Sequence, residues 1–241
     1  KGDVEIEQRL RENERQKLEI ERRSIQFAGQ ELDTGDPKYI GQLQGLAGDY
    51  LARDESWFER SRKRIRLVEF ESSGQPSAGA GGGGKHGGER RRERQLTDPQ
   101  RQAMGFAGEW LAFEYLRRRH PDFVDETCWV SSNRARVFGG DKGDDTAGFD
   151  FRVKTPKADW LYEVKSTMED GGEFELTANE MRVASRASKD SSRRYRILYV
   201  PYVLSPDKWY VLELPNPMGE ATRNRFKTVG RGSVRLRFER E

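Results

Sequence analysis

The sequence predicts an α/β protein, with a mixed central sheet flanked by helices and preceded by an α-helical N-terminal region. Two short strands joined by a Pro-containing turn are expected at 148–167, and a near-continuous apolar run at 197–204 is typical of a buried strand. The first 70 residues combine high helix propensity with apolar residues at helical spacing. The order expected after residue 97 is α-β-β-β-α-β-β.

Composition sets limits on the compartment and on partners. Of the 241 residues, 35% are charged and 34% hydrophobic, so part of the chain is expected to be extended or disordered. The net charge of +3 is too small by itself to establish nucleic-acid binding. The single cysteine, Cys128, excludes an intramolecular disulfide and favours a reducing compartment, and no apolar run reaches the ~20 residues of a membrane helix. We therefore expect a cytoplasmic protein with no membrane partner, and the initial Lys1 indicates a fragment or a processed chain.

The composition also divides the chain into three parts. Residues 1–71 form a helical region, residues 72–96 a flexible linker rich in Gly and then in Arg, and residues 97–241 a second domain. The linker contains His86, to which we assign no catalytic role.

The helical region is predicted in two pieces. Residues 3–30 are polar with few apolar positions, which favours a helical stalk over a coiled coil. Residues 37–70 are predicted to form a helical hairpin with a solvated basic face at 61–70, and a DNA-contacting arm is the alternative. The sequence contains no nucleotide-binding loop of the GxxxxGK[ST] kind, so no ATP site is predicted.

A capping box opens the second domain. Thr97 and Gln100 have the spacing of that motif, and Pro99 suits a first turn, so a helix is expected from there to about Arg119. Glu109 falls at the margin of the apolar stripe of this helix. A surface glutamate with a buried stem is the alternative to a functional acid at this position.

The remaining segments are assigned by their patterns. Residues 127–133 are predicted to be a strand, and 134–148 a mobile surface loop rich in Gly and Asp. Residues 209–214 are predicted to pair with the apolar run before them, and 233–238 to form an edge strand with its arginines outward. A second capping box at 177–180 predicts another helix, and the cap alone is sufficient to explain its glutamate.

Charged residues interrupt the strand predicted after the Pro-containing turn. Glu163 and Lys165 are two apart, so they share one face of this strand, while Tyr162 and Val164 share the other. Burying such charges is costly unless they are paired or bound to a metal ion. One interpretation is a structural tether, in which Glu163 and Lys165 form an isolated ion pair of modest energy. The other is a functional site that also uses Asp150 of the preceding strand.

These residues resemble a known signature. Gly-Phe-Asp at 148–150, followed by Glu-Val-Lys at 163–165, resembles the D…(D/E)xK pattern of nucleases with the restriction-endonuclease-like fold. Together with the helical segment at 105–118 and the segment FELTANEMRVA at 174–184, it makes residues 98–215 similar to the C-terminal domain of the plant protein NO VEIN and its bacterial relatives. Members of this family are often found in large helicase-like or anti-phage proteins. The resemblance therefore leaves open that the helical region, residues 1–71, is the tail of a larger motor or scaffold module.

The resemblance implies a divalent-metal site and a nuclease reaction. It assigns metal binding to Glu109, Asp150 and Glu163. It assigns catalysis to Asp150, Glu163 and Lys165, with the lysine positioning or activating the attacking water. Ligation by oxygen alone favours Mg²⁺ or Mn²⁺ over zinc. The implied function is metal-dependent hydrolysis of DNA by an endonuclease within a larger bacterial defence or helicase-associated protein.

In this family the helix after Lys165 borders the site. Thr177, Asn179 and Glu180 are therefore expected to support the metal ligands or to contact DNA. The alternative function is a catalytically silent module of the same fold that binds DNA or serves assembly. DNA is the expected partner of the nuclease and of a silent DNA-binding module, and the parent protein or a helicase-type module is a further expected partner.

Overall fold

The computed structural model describes residues 2–63, 66–70, 96–229 and 234–240, with backbone alone for residues 2–5. Residues 72–95 of the predicted linker, His86 among them, lie outside the described residues. The described chain has helices around a mixed sheet and a helix-rich N-terminal part, which confirms the predicted fold class. None of its described helices is long and apolar enough to cross a membrane.

The N-terminal part combines helices with a β-hairpin. The helix predicted over 3–30 is wrong at its end and stops at Arg23, because Ile25 and Phe27 enter the core with the alternation of a strand. The chain then reverses at Gly29, which has a positive φ. The elements in chain order are α1 (Gly2–Arg23), β1 (Ser24–Phe27), β2 (Gln30–Asp33), α2 (Tyr39–Arg53) and α3 (Ser56–Arg62).

The helical hairpin predicted over 37–70 is correct only as far as Arg62. The described residues 66–70 are not helical, because their backbone groups pair with C-terminal parts of the chain. Leu67, for example, forms an isolated antiparallel bridge with Arg240. This segment therefore connects the N-terminal helices to the last residues of the chain.

The second part contains two sheets. Its elements in chain order are α4 (Asp98–Arg119), α5 (Asn133–Phe138), β3 (Phe151–Lys154), β4 (Asp159–Ser166), β5 (Glu173–Leu176), α6 (Ala178–Ser188), β6 (Arg193–Val200), β7 (Leu212–Leu214), β8 (Lys227–Val229) and β9 (Val234–Arg237). The main sheet has the order β3-β4-β6-β7, with β4 and β6 parallel and the outer pairs antiparallel. The second sheet has the order β5-β9-β8 and is antiparallel.

The strand predicted at 127–133 is wrong. A 3₁₀ turn at Glu126–Cys128 takes its place, because the Asp125 carboxylate accepts hydrogen bonds from the amide and the hydroxyl of Thr127, at 2.8 and 2.6 Å. Helix α5 then occupies the start of the predicted loop at 134–148.

Two predictions near the C-terminus also need correction. The predicted edge strand at 233–238 contains β9, which lies in the centre of the second sheet between β5 and β8. Its arginines face outward and form cross-strand ion pairs with Glu173 and Glu175. The strand predicted at 209–214 pairs with β6 as expected but is limited to β7, because the residues before Leu212 are bonded to α3 instead.

Different elements cover the two faces of the main sheet. On one face, α4 and the N-terminal elements bury Phe151, Tyr162 and Leu198 completely. On the other face, α6 and the second sheet bury Leu161 and Ile197. Burial on both faces explains why the sequence of β6 ends in an uninterrupted apolar run.

The N-terminal elements complete the first of these cores. The ring centroids of Trp209 and Phe27 lie 5.6 Å apart. Arg60 donates from Nε to the Trp209 carbonyl at 3.0 Å, and the Val211 amide donates to Ser61 Oγ at 2.8 Å. Residues on both sides of the predicted linker therefore belong to one hydrophobic cluster.

We expect Trp57→Ala to destabilise the whole chain. The Trp57 residue is 1% exposed and lies 4.7 Å from the Arg118 guanidinium, so its truncation leaves a large cavity. Such truncations cost about 3–5 kcal/mol of unfolding free energy, measured here by urea unfolding followed by circular dichroism. Leu18→Ala, at a residue that is 57% exposed, is the control and should stay within about 0.5 kcal/mol of wild type. Equal midpoints for Trp57→Ala and wild type would show that α3 is not part of the cooperative unit.

Candidate active site

Asp150 is held just before β3 by backbone contacts. The turn before it passes through Gly148 at a φ of +78°, where a Cβ would lie only 2.8 Å from Val183. The Asp150 amide donates to the Tyr162 carbonyl at 2.8 Å, and Asp150 Oδ2 accepts from the Val164 amide at 2.8 Å. These bonds fix the carboxylate against β4.

Lys165 joins two carboxylates. As the sequence predicts, Tyr162 and Val164 enter the core on one face of β4, and the acid and the lysine occupy the other. Lys165 Nζ lies 2.8 Å from Glu163 Oε1 and 2.8 Å from Glu180 Oε2. All three side chains are largely buried. The pair is therefore neither exposed nor isolated, in contrast to the tether interpretation.

Glu180 also caps α6. The predicted capping box is confirmed, since the Glu180 amide donates to Thr177 Oγ1 at 3.3 Å and the Thr177 amide donates to Glu180 Oε2 at 3.1 Å. The same Oε2 accepts from Lys165, so the helix cap and the lysine share one acceptor atom. Asn179, in the same turn, donates to the Thr146 carbonyl at 2.6 Å and holds the loop that leads to Asp150.

Glu109 is a buried acid surrounded by donors. The residue is only 8% exposed, which rules out a surface glutamate. Trp129 Nε1 donates to Glu109 Oε2 at 2.7 Å, and Asn133 Nδ2 donates to Oε1 at 2.7 Å. The Ser131 hydroxyl also donates to Oε2. None of these three donors is predicted from the sequence, because Trp129 and Ser131 precede α5 whereas Asn133 is its first residue, so no single spacing rule relates them.

Gly108 allows α4 to approach β4 closely. A Cβ at this position would overlap the Ser166 hydroxyl and lie 2.9 Å from Ser166 Cβ. The close approach brings the next residue, Glu109, within electrostatic range of Glu163 and Asp150. The glycine is therefore the residue that allows the helix to contribute an acid to the cluster.

The structure brings only part of the predicted metal set together. Among the described residues, no group of three or more His, Cys, Asp or Glu side chains is arranged to hold a metal ion. Donors engage both carboxylate oxygens of Glu109. Asp150 Oδ1 and Glu163 Oε2 accept no hydrogen bond from any described residue. Of the three predicted ligands, Asp150 and Glu163 therefore each keep one oxygen without a described hydrogen-bond donor, whereas both oxygens of Glu109 accept hydrogen bonds.

The cluster contains more acid than base. Burial raises the pKa of Glu109 to about 7, against the opposing effect of its three hydrogen-bond donors. Burial, followed by the charge of a neighbouring acid, raises the pKa of Asp150 and of Glu163 well above the ordinary range. Burial alone would lower the pKa of Lys165, but Glu163 and Glu180 outweigh it and raise that pKa. Lys165 therefore stays charged at neutral pH, and it is shared as an ion-pair partner by Glu163 and Glu180.

The segment that contains these acids and Lys165 also matches a known protein family. Residues 108–212 match the sequence model of the family described as Protein NO VEIN, C-terminal. This segment is a NO VEIN C-terminal domain. The match contains every predicted site residue, from Glu109 to Glu180, whereas α1 to α3 and the strands β8 and β9 lie outside it. No curated protein and no solved structure matches the chain.

Replacement of each of two glycines in α4 by alanine should have opposite effects on the free energy of unfolding. At Gly105 a Cβ meets nothing within 4 Å, so Gly105→Ala should gain up to about 1 kcal/mol from helix propensity. At Gly108 the clash with Ser166 dominates, and Gly108→Ala should lose about 1–3 kcal/mol in equilibrium urea unfolding. Adding Ser166→Gly to Gly108→Ala removes the colliding atoms and should recover most of the loss. Absence of recovery would assign the loss to another contact.

The raised pKa of Glu109 predicts that stability falls as pH rises from about 4.5 to 7. In this range the folded chain keeps the Glu109 proton and the unfolded chain has lost it, so rising pH favours the unfolded state. A pKa that moves from 4.5 to about 7 corresponds to about 3 kcal/mol.

Denaturant midpoints between pH 4.5 and 8, measured with chelator present, test this slope. Glu109→Gln should reduce the dependence of stability on pH. The dependence that remains has the same sign, because the pKa values of Asp150 and Glu163 are also raised. Glu173→Gln, in the second sheet, should leave the slope unchanged. If Glu109→Gln has the same pH dependence of stability as wild type, a residue other than Glu109 causes that dependence.

Proposed function

We propose that the NO VEIN C-terminal domain of this chain hydrolyses phosphodiester bonds of DNA with the help of a divalent cation. One observation carries the proposal: at a largely buried end of the main sheet, Glu163 and Glu180 contact the ammonium of Lys165, and Asp150 and Glu109 lie within electrostatic range of Glu163. Mutual repulsion of buried carboxylates is relieved by a cation, and perturbed titrating groups of this kind are concentrated at functional sites.

The donor chemistry of the site fits Mg²⁺ or Mn²⁺ bound by two carboxylates. Mg²⁺ is usually held by one or two carboxylates, with water and phosphate oxygens completing its shell. Asp150 and Glu163 supply the uncommitted oxygens for this purpose, and Glu109 is occupied by its donors. The bound cation would polarise the phosphodiester and make a water molecule more acidic. Glu109 then acts through its charge on the neighbouring acids, and not as a ligand.

Lys165 serves this proposal as a fixed positive charge. Its two carboxylate partners hold it protonated, so it is unsuited to accept a proton from water. A charged donor at a fixed position can stabilise negative charge that develops on a phosphate oxygen. Asp150 and Glu180 lie beside it, and their bonds to the Val164 and Thr177 amides limit their motion.

A catalytically silent DNA-binding or assembly module is the second candidate. It is favoured by the complete hydrogen bonding of Glu109 and by the lack, within the described residues, of a three-ligand metal group. For either function, we propose that the chain acts within a larger helicase-associated or bacterial defence protein and that it is cytoplasmic.

The deciding experiment is cleavage of plasmid and linear DNA by the full chain. Wild type should cut with Mg²⁺ or Mn²⁺ and stop with chelator, and Asp150→Asn, Glu163→Gln and Lys165→Met should each lose at least about 100-fold in rate. Glu173→Gln removes one carboxylate from the second sheet and should cut normally. Cleavage that survives in the Asp150 and Glu163 variants would refute the proposal. DNA retention without cleavage in every variant would favour the silent module.

Metal binding can be measured without DNA. At a concentration 100 times its dissociation constant, a cation that binds only the folded state adds about 2.7 kcal/mol of stability. We expect Mg²⁺ to raise the unfolding midpoint of wild type at pH 8 and to have a smaller effect at pH 5.5, because protons compete with the cation for acids whose pKa is raised by burial. Asp150→Asn combined with Glu163→Gln should abolish the effect. The same rise in that double variant would place the cation elsewhere.

A further inference from the structure

Two buried tyrosines of β6 each support a loop next to the acids. Tyr195 and Tyr199 are four residues apart on the face covered by α6, and are 1% and 0% exposed. The Tyr195 hydroxyl donates to the Gly148 carbonyl at 3.2 Å. The Tyr199 hydroxyl accepts from the Gly172 amide at 3.2 Å and lies 3.1 Å from the Thr167 hydroxyl. One tyrosine therefore holds the chain before β3, and the other holds the chain after β4.

The carbonyl bonded by Tyr195 belongs to the turn that delivers Asp150. Gly148 is pressed against α6, since a Cβ there would lie 2.8 Å from Val183 and 3.1 Å from Asn179. Two residues later, the Asp150 amide and carboxylate bond to β4. Because the peptide chain between these points is short, the position of the Gly148 carbonyl constrains the position of the Asp150 carboxylate.

The hydroxyl of Tyr195 has an unfavourable location for a residue that only fills space. It is buried, and the charges of Glu163, Glu180 and Asp150 act on it, so its pKa is raised and it remains a neutral donor. Phenylalanine would fill nearly the same volume without burying a polar group next to acids. The described bond that offsets this cost is the one to Gly148.

We infer that Tyr195 is a positioning residue for Asp150 and acts through the Gly148 carbonyl. The effect of Tyr195 on catalysis rests on the proposed nuclease function, but its effect on the location of Asp150 does not. Tyr195→Phe tests the inference because it removes one oxygen atom. Tyr199→Phe is the matched control, since it removes the same atom from the same face of the same strand.

The first readout is amide hydrogen exchange in the full, metal-free chain. The Val164 amide donates to Asp150 Oδ2, so its protection reports whether the carboxylate is in place. Tyr195→Phe should speed exchange of this amide by about tenfold, and Asp150→Ala should give the full loss of protection. Tyr199→Phe should leave it unchanged and speed exchange of the Gly172 amide instead. Unchanged exchange at Val164 in Tyr195→Phe, or equal acceleration in both variants, would overturn the inference.

The second readout is the kinetics of DNA cleavage. A misplaced Asp150 should lower kcat by about tenfold and raise the half-saturating Mg²⁺ concentration, while KM for DNA stays constant. Tyr199→Phe should retain the wild-type kcat and Mg²⁺ dependence. A rise in KM alone would contradict the positioning role. If wild type does not cleave DNA at all, the proposed function fails, and the exchange experiment still decides the role of Tyr195.

Discussion

The burial of excess negative charge at one end of β4 is the constraint on which the site depends. Carboxylates taken out of water are tolerated only when they are protonated, hydrogen-bonded or paired. This chain uses all three means: the pKa of Glu109 lies close to neutrality, the Val164 amide binds Asp150, and Lys165 is divided between Glu163 and Glu180. The cluster remains short of positive charge, which is the property that makes it a candidate for a cation site and not a simple ion pair.

Such a cluster needs a rigid support, and the chain supplies it from segments far apart in sequence. Both faces of β4 and β6 are covered, one by α4 and one by α6 with the second sheet. The family match spans 108–212, yet the core under β7 is completed by Phe27, Trp57 and Ser61. The boundary of the family match and the boundary of the hydrophobic core are therefore different, and residues outside the match contribute to the stability of the site.

Local signals in the sequence predicted the parts of the fold that local interactions decide. The capping boxes at Thr97 and Thr177 give helix starts correctly, because the bonds that define them lie within four residues. The alternation along β4 correctly separates Glu163 and Lys165 from Tyr162 and Val164.

Other predictions are wrong where the structure of a segment depends on residues that are distant in sequence. Strand β9 is enclosed by β5 and β8, and Ile25 lies in β1 and joins the core instead of continuing α1. The roles of Tyr195 and Gly108 depend on which elements meet, and spacing along the chain does not contain that information.

The shared acceptor on Glu180 links the chemistry of the site to the mechanics of α6. One oxygen atom closes the first turn of this helix and also holds the Lys165 ammonium. A phosphate that drew the lysine toward itself would weaken the contact with that oxygen and leave it more fully available to the helix. The start of α6 and the position of the Lys165 ammonium are therefore coupled through a single atom.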